Sequence, residues 1–407
     1  MSTGASPAYI GSNPNLTATV DFSKVKTIVD KAVKDLVTPS AVVSVYKKGV
    51  AVFSYCAGHS GFLQEGAKQI PVSMATVFDV AEVTQIAATV PLLMVMLEEG
   101  RIDLNHRVSR YLPGFNVHGK ATVTIGHLLS NTSGLTSGIP YFESITREHG
   151  AAGFGMLTNR GAKDYVVNSI LRSSLKYPPE TRQSYSEQGF ILLGAIVELL
   201  TGLSLEKAAQ KLLYKPLGMT STSFIDLSML KRKGLQAIPE VVASMEPCEW
   251  RQKLVWGEVF DSNAWAMGGV SGHAGLFSNA EDLQKLGNAY LLATHSSLPQ
   301  NDPRLHATRL FDPQVVRTFL SGGQFDIPVT HNYGFDTPSR ENGLSESGFS
   351  DKSFGAIGAT GCMLWIDPEL DQVVVILANR NDPLRTSRKL AAFRQDICRV
   401  VNEINHL

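Results

Sequence analysis

The sequence predicts an α+β fold. Three observations carry that expectation. Short β-rich runs stand near both ends of the chain, Ala41 to Tyr46 and Val50 to Tyr55 on one side, Gly361 to Ile366 and Gln372 to Ala378 on the other. Between them the apolar residues recur at helical spacing. At the junction, Val77-Phe78-Asp79-Val80-Ala81-Glu82-Val83-Thr84-Gln85 leads into the apolar run Ile86 to Leu97, as a short strand or loop entering a buried helix. Glu82 and Gln85 are three apart and share one face of its first turn.

The chain in order supports this reading. Residues 1–20 are rich in Ser, Gly, Asn and Pro and read as a tail. Val20 to Val37 has a helical apolar face at Val25, Ile28, Val29, Ala32, Val33 and Leu36. Lys47-Lys48-Gly49 joins the first two strands as a hairpin. Gly100 is a helix stop. Thr124 is the cap of a short helix that ends at Ser133-Gly134. Asn159 to Leu171 and Gln188 to Leu200 are amphipathic helices, Ser204 caps another, and Asn279 caps Ala280 to Leu292. Residues 226–260 read as a loop-rich insertion over the mouth of a site. Asp367-Pro368-Glu369 turns between the last strands, and Ser387 to Ile404 closes the chain as a helix.

Bulk numbers exclude several classes. A chain of 407 residues can bury a large core. Lys+Arg 37 against Asp+Glu 37 argues against a nucleic-acid or polybasic membrane binder. A net charge of zero gives little protection against association. Cys56, Cys248, Cys362 and Cys398 are scattered, which suggests buried thiols and neither a zinc site nor a disulfide framework. The first residues resemble no secretory or mitochondrial leader. No apolar run reaches the ~20 residues needed to span a bilayer.

Several strings carry a family resemblance: "EEGRIDL…VSRYLP" from Glu98, "VTIGHLLSNTSGL" from Val123, "YKPLGM" from Tyr214, and the glycine-rich "NAWAMGGVSGHAGLFS" from Asn263. Together with the Glu82 stretch they resemble the serine β-lactamase and penicillin-binding-protein family, on its class C and esterase side. The resemblance spans roughly residues 20–405. It implies one antiparallel sheet built from both chain termini, flanked by helices, with an inserted mostly helical half. The expected organisation is a tail, 1–20, and a single domain, 21–407. Its sheet half is 21–80 with 330–407, and its helical half is 81–329.

The family's chemistry needs Ser-x-x-Lys, Tyr-x-Asn and Lys-Thr-Gly or His-Thr-Gly. The corresponding residues here are Glu82 and Gln85, then Tyr185-Ser186-Glu187, then Ala356-Ile357-Gly358. Only Tyr185 and Gly358 keep the family's residue. His127 and His273 fall in framework strings. Ser23, Ser173, Ser204 and Ser228 each precede a lysine by three, without the family's strand before them. Ser186 is expected to point away from the cleft and Cys362 to be packing.

The expectation that follows is an inactive relative, with no catalytic residue, cofactor or metal, serving as a structural or protein-interaction component of a larger assembly. The partner would be a protein met through the tail, with no nucleic acid and no membrane span. The implied setting is the cytoplasm, including association with the cytoskeleton. Two alternatives stand beside it. One is an atypical serine hydrolase (esterase, amidase or D-amino-acid peptidase). The other is a ligand sensor using the old cleft, which bulky Ile357 disfavours. Glu82, Glu187 and Tyr185 could also do acid–base work together. Glu82 itself is expected to fill the vacant anion site at the helix N-terminus and so to stabilise the fold.

Overall fold

The computed structural model describes residues 21–60, 70–235, 243, 247–295, 302, 304, 310–323, 326–379 and 383–405. The expected tail lies outside the described residues. The first helix, α1 (Ser23–Lys34), buries Val25, Val29 and Ala32 on one face. It leads into β1 (Ser40–Lys47) and β2 (Val50–Gly58). Lys48 and Gly49 both have positive φ, 50° and 76°. That is the two-residue turn whose twist suits a tight hairpin.

The principal sheet has five antiparallel strands in the order β2-β1-β10-β9-β8, where β8 is Phe354–Ile357, β9 Met363–Asp367 and β10 Gln372–Ala378. The C-terminal strands pair directly with the N-terminal hairpin, with Val43 opposite Ile376 and Val45 opposite Val374. Helices cover both faces. Ala41, Val43, Val374 and Ile376 pack with α1 and with Leu390, Phe393 and Ile397 of the closing helix, Pro383–Asn405. Val42, Val373, Val375 and Leu364 face the larger core with Leu286 and Tyr290. Burial on both faces explains why β10 reads as the unbroken run VVVILA.

Two small strands, β3 (Phe78–Asp79) and β4 (Ser223–Phe224), flank β7 (Leu276–Ser278). This triplet lays the glycine-rich string directly under the Glu82 turn. Among the described residues of 226–260 are a short helix, Leu227–Lys233, and the ribbon of β5 (Pro247–Cys248) with β6 (Lys253–Leu254). Thr124 caps Ile125–Leu129 in a capping box with His127, and Asn279 accepts the Asp282 N–H at 2.9 Å. Ser204 stands at a helix N-cap but differs from expectation. Its hydroxyl donates to Glu206 instead of accepting a backbone N–H. No single described helix is long and apolar enough to cross a membrane.

The helix after Glu82 opens in a π-turn, Gln85–Thr89, before α2 (Val90–Glu98). Pro91 is the cause. It has no N–H, so neither Ile86 in the π register nor Ala87 in the α register receives a donor from it. Two buried phenols supply the missing donors. Tyr290 Oη donates to Ile86 O at 2.6 Å and Tyr214 Oη donates to Ala87 O at 3.2 Å. Tyr290→Phe leaves a buried carbonyl without a partner. The expected loss is about 1–3 kcal/mol, read as a lower urea midpoint with an unchanged m-value. No loss would mean that water reaches this turn.

Candidate active site

Glu82 stands in a tight turn. Ala81, just before it, has φ 49°, and Val83, Thr84 and Gln85 donate to carbonyls three residues back. Buried Asp79 shapes this turn from below. Its Oδ1 accepts the Ala81 N–H at 2.9 Å and its Oδ2 accepts the Phe260 N–H at 2.8 Å. Its backbone oxygen accepts from Thr360 Oγ1 at 2.9 Å. Asp79 therefore ties together the Glu82 turn, the Phe260 loop and the β8–β9 turn. Burial pushes its carboxyl up to about 6.

The end of β8 closes on this turn. A Cβ on Gly358 would meet Val80 O at 2.5 Å, so only glycine allows the approach. The approach brings the Ala359 N–H to Glu82 Oε2 at 2.6 Å. The carboxylate thus occupies the backbone donor site, as expected. The expected stabilisation does not follow, because desolvation outweighs the donors. Burial pushes the Glu82 carboxyl up, against the Ala359 and Glu82 N–H groups. Its Oε1 has no partner beyond its own residue among the described residues.

Gln85 Nε2 donates to Tyr185 Oη at 3.1 Å, so the i, i+3 face holds the phenol over the carboxylate. Tyr185 is driven well above its ordinary value by desolvation and by the carboxylates of Glu82, Glu187 and Asp261. It stays protonated. With its oxygen already accepting from Gln85, its own proton is available to a substrate.

Two cavities meet here, of about 620 and 380 Å³, and share Glu82, Tyr185 and Ala359 as walls. The larger takes Gln85, Ala356, Ile357, Gly358, His331 and Arg394. Ile357 therefore lines the cleft without filling it. The smaller takes Glu187, Asp261 and His273. All seven positions singled out in the sequence (Glu82, Gln85, Tyr185, Glu187, Ala356, Ile357, Gly358) thus lie at the two cavities. Ser186 is turned away, donating to Thr136 O at 2.7 Å, and Cys362 is buried between Asp79 O and Ala378 O.

His127 behaves as framework, bound to Glu180 at 2.6 Å. His273 does not. It lines the smaller cavity, with Nε2 at 3.1 Å from Asp261 Oδ1 and Nδ1 at 2.8 Å from Ser271 Oγ. Burial opposes its protonation, yet the Asp261 carboxylate overrides this and holds His273 above its ordinary value. Ser271, 2% exposed, lines neither cavity, so this Ser–His–Asp string is not an attacking triad. Ser184 and Ser262 do line the cavities. Among the described residues, neither hydroxyl is hydrogen-bonded to a lysine or histidine.

Sequence reasoning missed Asp261 and Arg394. Asp261 caps Ser262–Ala266, accepting the Ala264 N–H at 2.7 Å, and carries no further signal in the sequence. Arg394 did carry one. It interrupts the apolar stripe Leu390, Ile397 and Val401 of the closing helix.

The chain matches the Beta-lactamase family over residues 25–399. A protein of Escherichia coli (strain K12), named "Putative D-alanyl-D-alanine carboxypeptidase", is 28% identical over 334 residues, 76% of this chain and 70% of its own. A protein of the same name from Salmonella schwarzengrund is 30% identical over 333 residues, 77% of this chain and 72% of its own. Among solved structures, the simvastatin synthase of Aspergillus terreus superposes with a TM-score of 0.66 at 19% identity, covering 94% of each chain. The hydrolase EstCE1 superposes with a TM-score of 0.64 at 17% identity, covering 93% of this chain and 98% of its own. These structures share the fold.

The relatives overturn two expectations: that the chain is not an enzyme, and that it is an inactive structural component. Sequences that align with three quarters of this chain, at 28% and 30% identity, are named for a peptidase. The physical reason for the error is plain in the cleft. The sequence argument ranked acid–base work by Glu82, Glu187 and Tyr185 below their being relics of the lost serine and lysine chemistry. A desolvated carboxylate facing a protonated phenol is itself an acid–base pair.

Proposed function

The chain belongs to the Beta-lactamase family, and from that premise we propose that it hydrolyses an ester or amide bond in the Glu82 cleft with water as the attacking group. The reading rests on one observation above the others. Glu82 lines both cavities, its Oε2 is clamped by the Ala359 N–H, and burial raises its pKa. A base is most effective when its pKa lies nearer the working pH, and desolvation moves Glu82 that way. The names borne by the relatives supply the substrate class to try first, peptides ending in D-alanyl-D-alanine.

The steps balance as follows. Glu82 takes a proton from water while the water oxygen bonds to the carbonyl carbon. The carbonyl oxygen becomes an oxyanion, and the Tyr185 O–H donates a hydrogen bond to it. The intermediate then collapses. The bond to the leaving nitrogen or oxygen breaks, and protonated Glu82 returns its proton to that atom. The products are an acid and an amine or alcohol, and no co-reactant is consumed.

The test is release of D-alanine from D-alanyl-D-alanine peptides, with a chromogenic acetate ester in parallel. Turnover that falls away as pH drops through the Glu82 value supports the reading. Failure of every acyl donor to turn over removes it. Tyr185→Phe is expected to lower kcat by about 10²-fold and to leave KM nearly unchanged, since its hydrogen bond strengthens only as the oxyanion forms. A pure KM effect would instead make Tyr185 a binding group.

A further inference from the structure

The seat of Glu82 depends on a loop far from it along the chain. Asp79 shapes the Glu82 turn through the Ala81 N–H and takes its other hydrogen bond from the Phe260 N–H, at 2.8 Å. The next residue, Asp261, holds His273 and lines the smaller cavity beside Phe260. Whatever orients residues 259–261 therefore helps to set the site. Val259 packs with Ala264, Ala274 and Phe277. Apolar contact of that kind is non-directional, so it fixes how deep the loop sits but not where its N–H groups point.

Direction comes from Arg251. It stands in the turn of the β5–β6 ribbon, next to Gln252 with its φ of 50°. Its Nη1 donates to Val259 O at 2.8 Å and its Nη2 donates to Phe260 O. Val259 O and the Phe260 N–H belong to one planar trans peptide and point to opposite sides of it. That peptide is thus gripped at one end by Arg251 and at the other by Asp79. The guanidinium is itself held, 5.1 Å from the centre of the Trp265 ring, whose Nε1 donates to Glu258. Trp265 in turn meets Trp250 edge-on at 5.5 Å. Arg251 lines neither cavity, so it reaches the site through the loop alone.

We infer that Arg251 is a positioning residue for the Glu82 site. From the ribbon it aims the 259–260 peptide at Asp79, and Asp79 carries that alignment to the Glu82 turn and the wall of the smaller cavity. This gives the 226–260 insertion a task at the site. The inference rests on the hydrolytic reading for its effect on turnover, but not for its effect on the surroundings of Glu82.

Thermal melts at neutral pH test the second effect without turnover. The cycle compares the unaltered chain, Glu82→Gln, Arg251→Met and the double variant. Methionine keeps an apolar stem and no donor. The melting-temperature gain from Glu82→Gln is expected to fall to about half or less in the Arg251→Met background, because a loosened loop lets water reach the carboxylate. A side chain that only stiffened the ribbon would lower the melting temperature and leave that gain unchanged. Arg251→Lys keeps the charge but not the planar fork. It should give an intermediate gain, and it supplies the cycle if the methionine variant does not fold. Lys253→Met removes an exposed partner of Glu258 on the same ribbon and should leave the gain as it was. In turnover, Arg251→Met should lower kcat by roughly tenfold to a hundredfold, with Arg251→Lys between. An equal Glu82→Gln gain in both backgrounds (zero included), an equal loss of it in Lys253→Met, or an undiminished kcat in folded Arg251→Met would each overturn the inference. A diminished gain in a chain that turns over no acyl donor would leave it standing and remove the hydrolytic reading instead.

Discussion

Glu82→Gln is expected to abolish hydrolysis, by about 10²–10⁴-fold in kcat, and to raise the melting temperature at neutral pH. Glutamine fits the same space and can still accept the Ala359 N–H through its amide oxygen, so the fold and the cleft are kept. What it cannot do is take a proton from water. The stability gain follows from the direction of the Glu82 shift. Its carboxyl is raised in the folded chain, chiefly by desolvation. Well below the unfolded value the group is protonated in both states and contributes no difference. As pH rises through the folded value the native state must give up that proton at a cost, so stability is lost with rising pH. Asp79, pushed up to about 6, acts in the same direction. The gain of the glutamine variant is therefore largest above the folded Glu82 value and vanishes in acid. Melting curves over a pH series check it, and equal melting temperatures at neutral pH would show that Glu82 carries no desolvation penalty.

Gly358→Ala is the second large effect, and it acts on fold and site together. The new Cβ would stand 2.5 Å from Val80 O and 3.1 Å from Ala81 Cβ, so backbone must move to admit it. The expected cost is about 1–3 kcal/mol of stability. The β8 end is displaced from the Glu82 turn, and the Ala359 clamp with it. Loss of that alignment is expected to lower kcat by roughly 10²-fold. Gly114→Ala is the control. Its Cβ would meet Leu171 Cδ1 at 3.6 Å and Leu171 Cβ at 4.0 Å, both ordinary contacts, and stability and activity should hardly change. Equal behaviour of the two variants would mean that the β8 approach positions nothing.

The sheet was legible in the sequence because its strands are buried on both faces and must be apolar throughout, as VVVILA in β10 is. Caps such as Asn279 and Thr124 were legible because their hydrogen bonds are local. The positions of the cleft were legible too, since Glu82, Tyr185 and Gly358 fall in strings of fixed order. The state of those residues was not. Whether a carboxylate is a relic or a base depends on its surroundings, and the groups that make them up come from far along the chain. Ala359, Tyr185 and His273 are each about a hundred residues or more from Glu82. Arg394 was overlooked although its place in an apolar stripe was visible. Ile357, which weighed against a ligand sensor in the sequence, stands in the wall of the larger cavity.

The claim at the centre is that Glu82 activates water and that no hydroxyl of the protein is acylated. Intact mass spectrometry during steady turnover of a D-alanyl-D-alanine peptide, with a serine-directed phosphonate as a second probe, tests it most directly. The expected result is an unmodified chain throughout turnover, unlabelled by the phosphonate. A covalent acyl or phosphonyl adduct on a cleft hydroxyl such as Ser184 or Ser262 would contradict it.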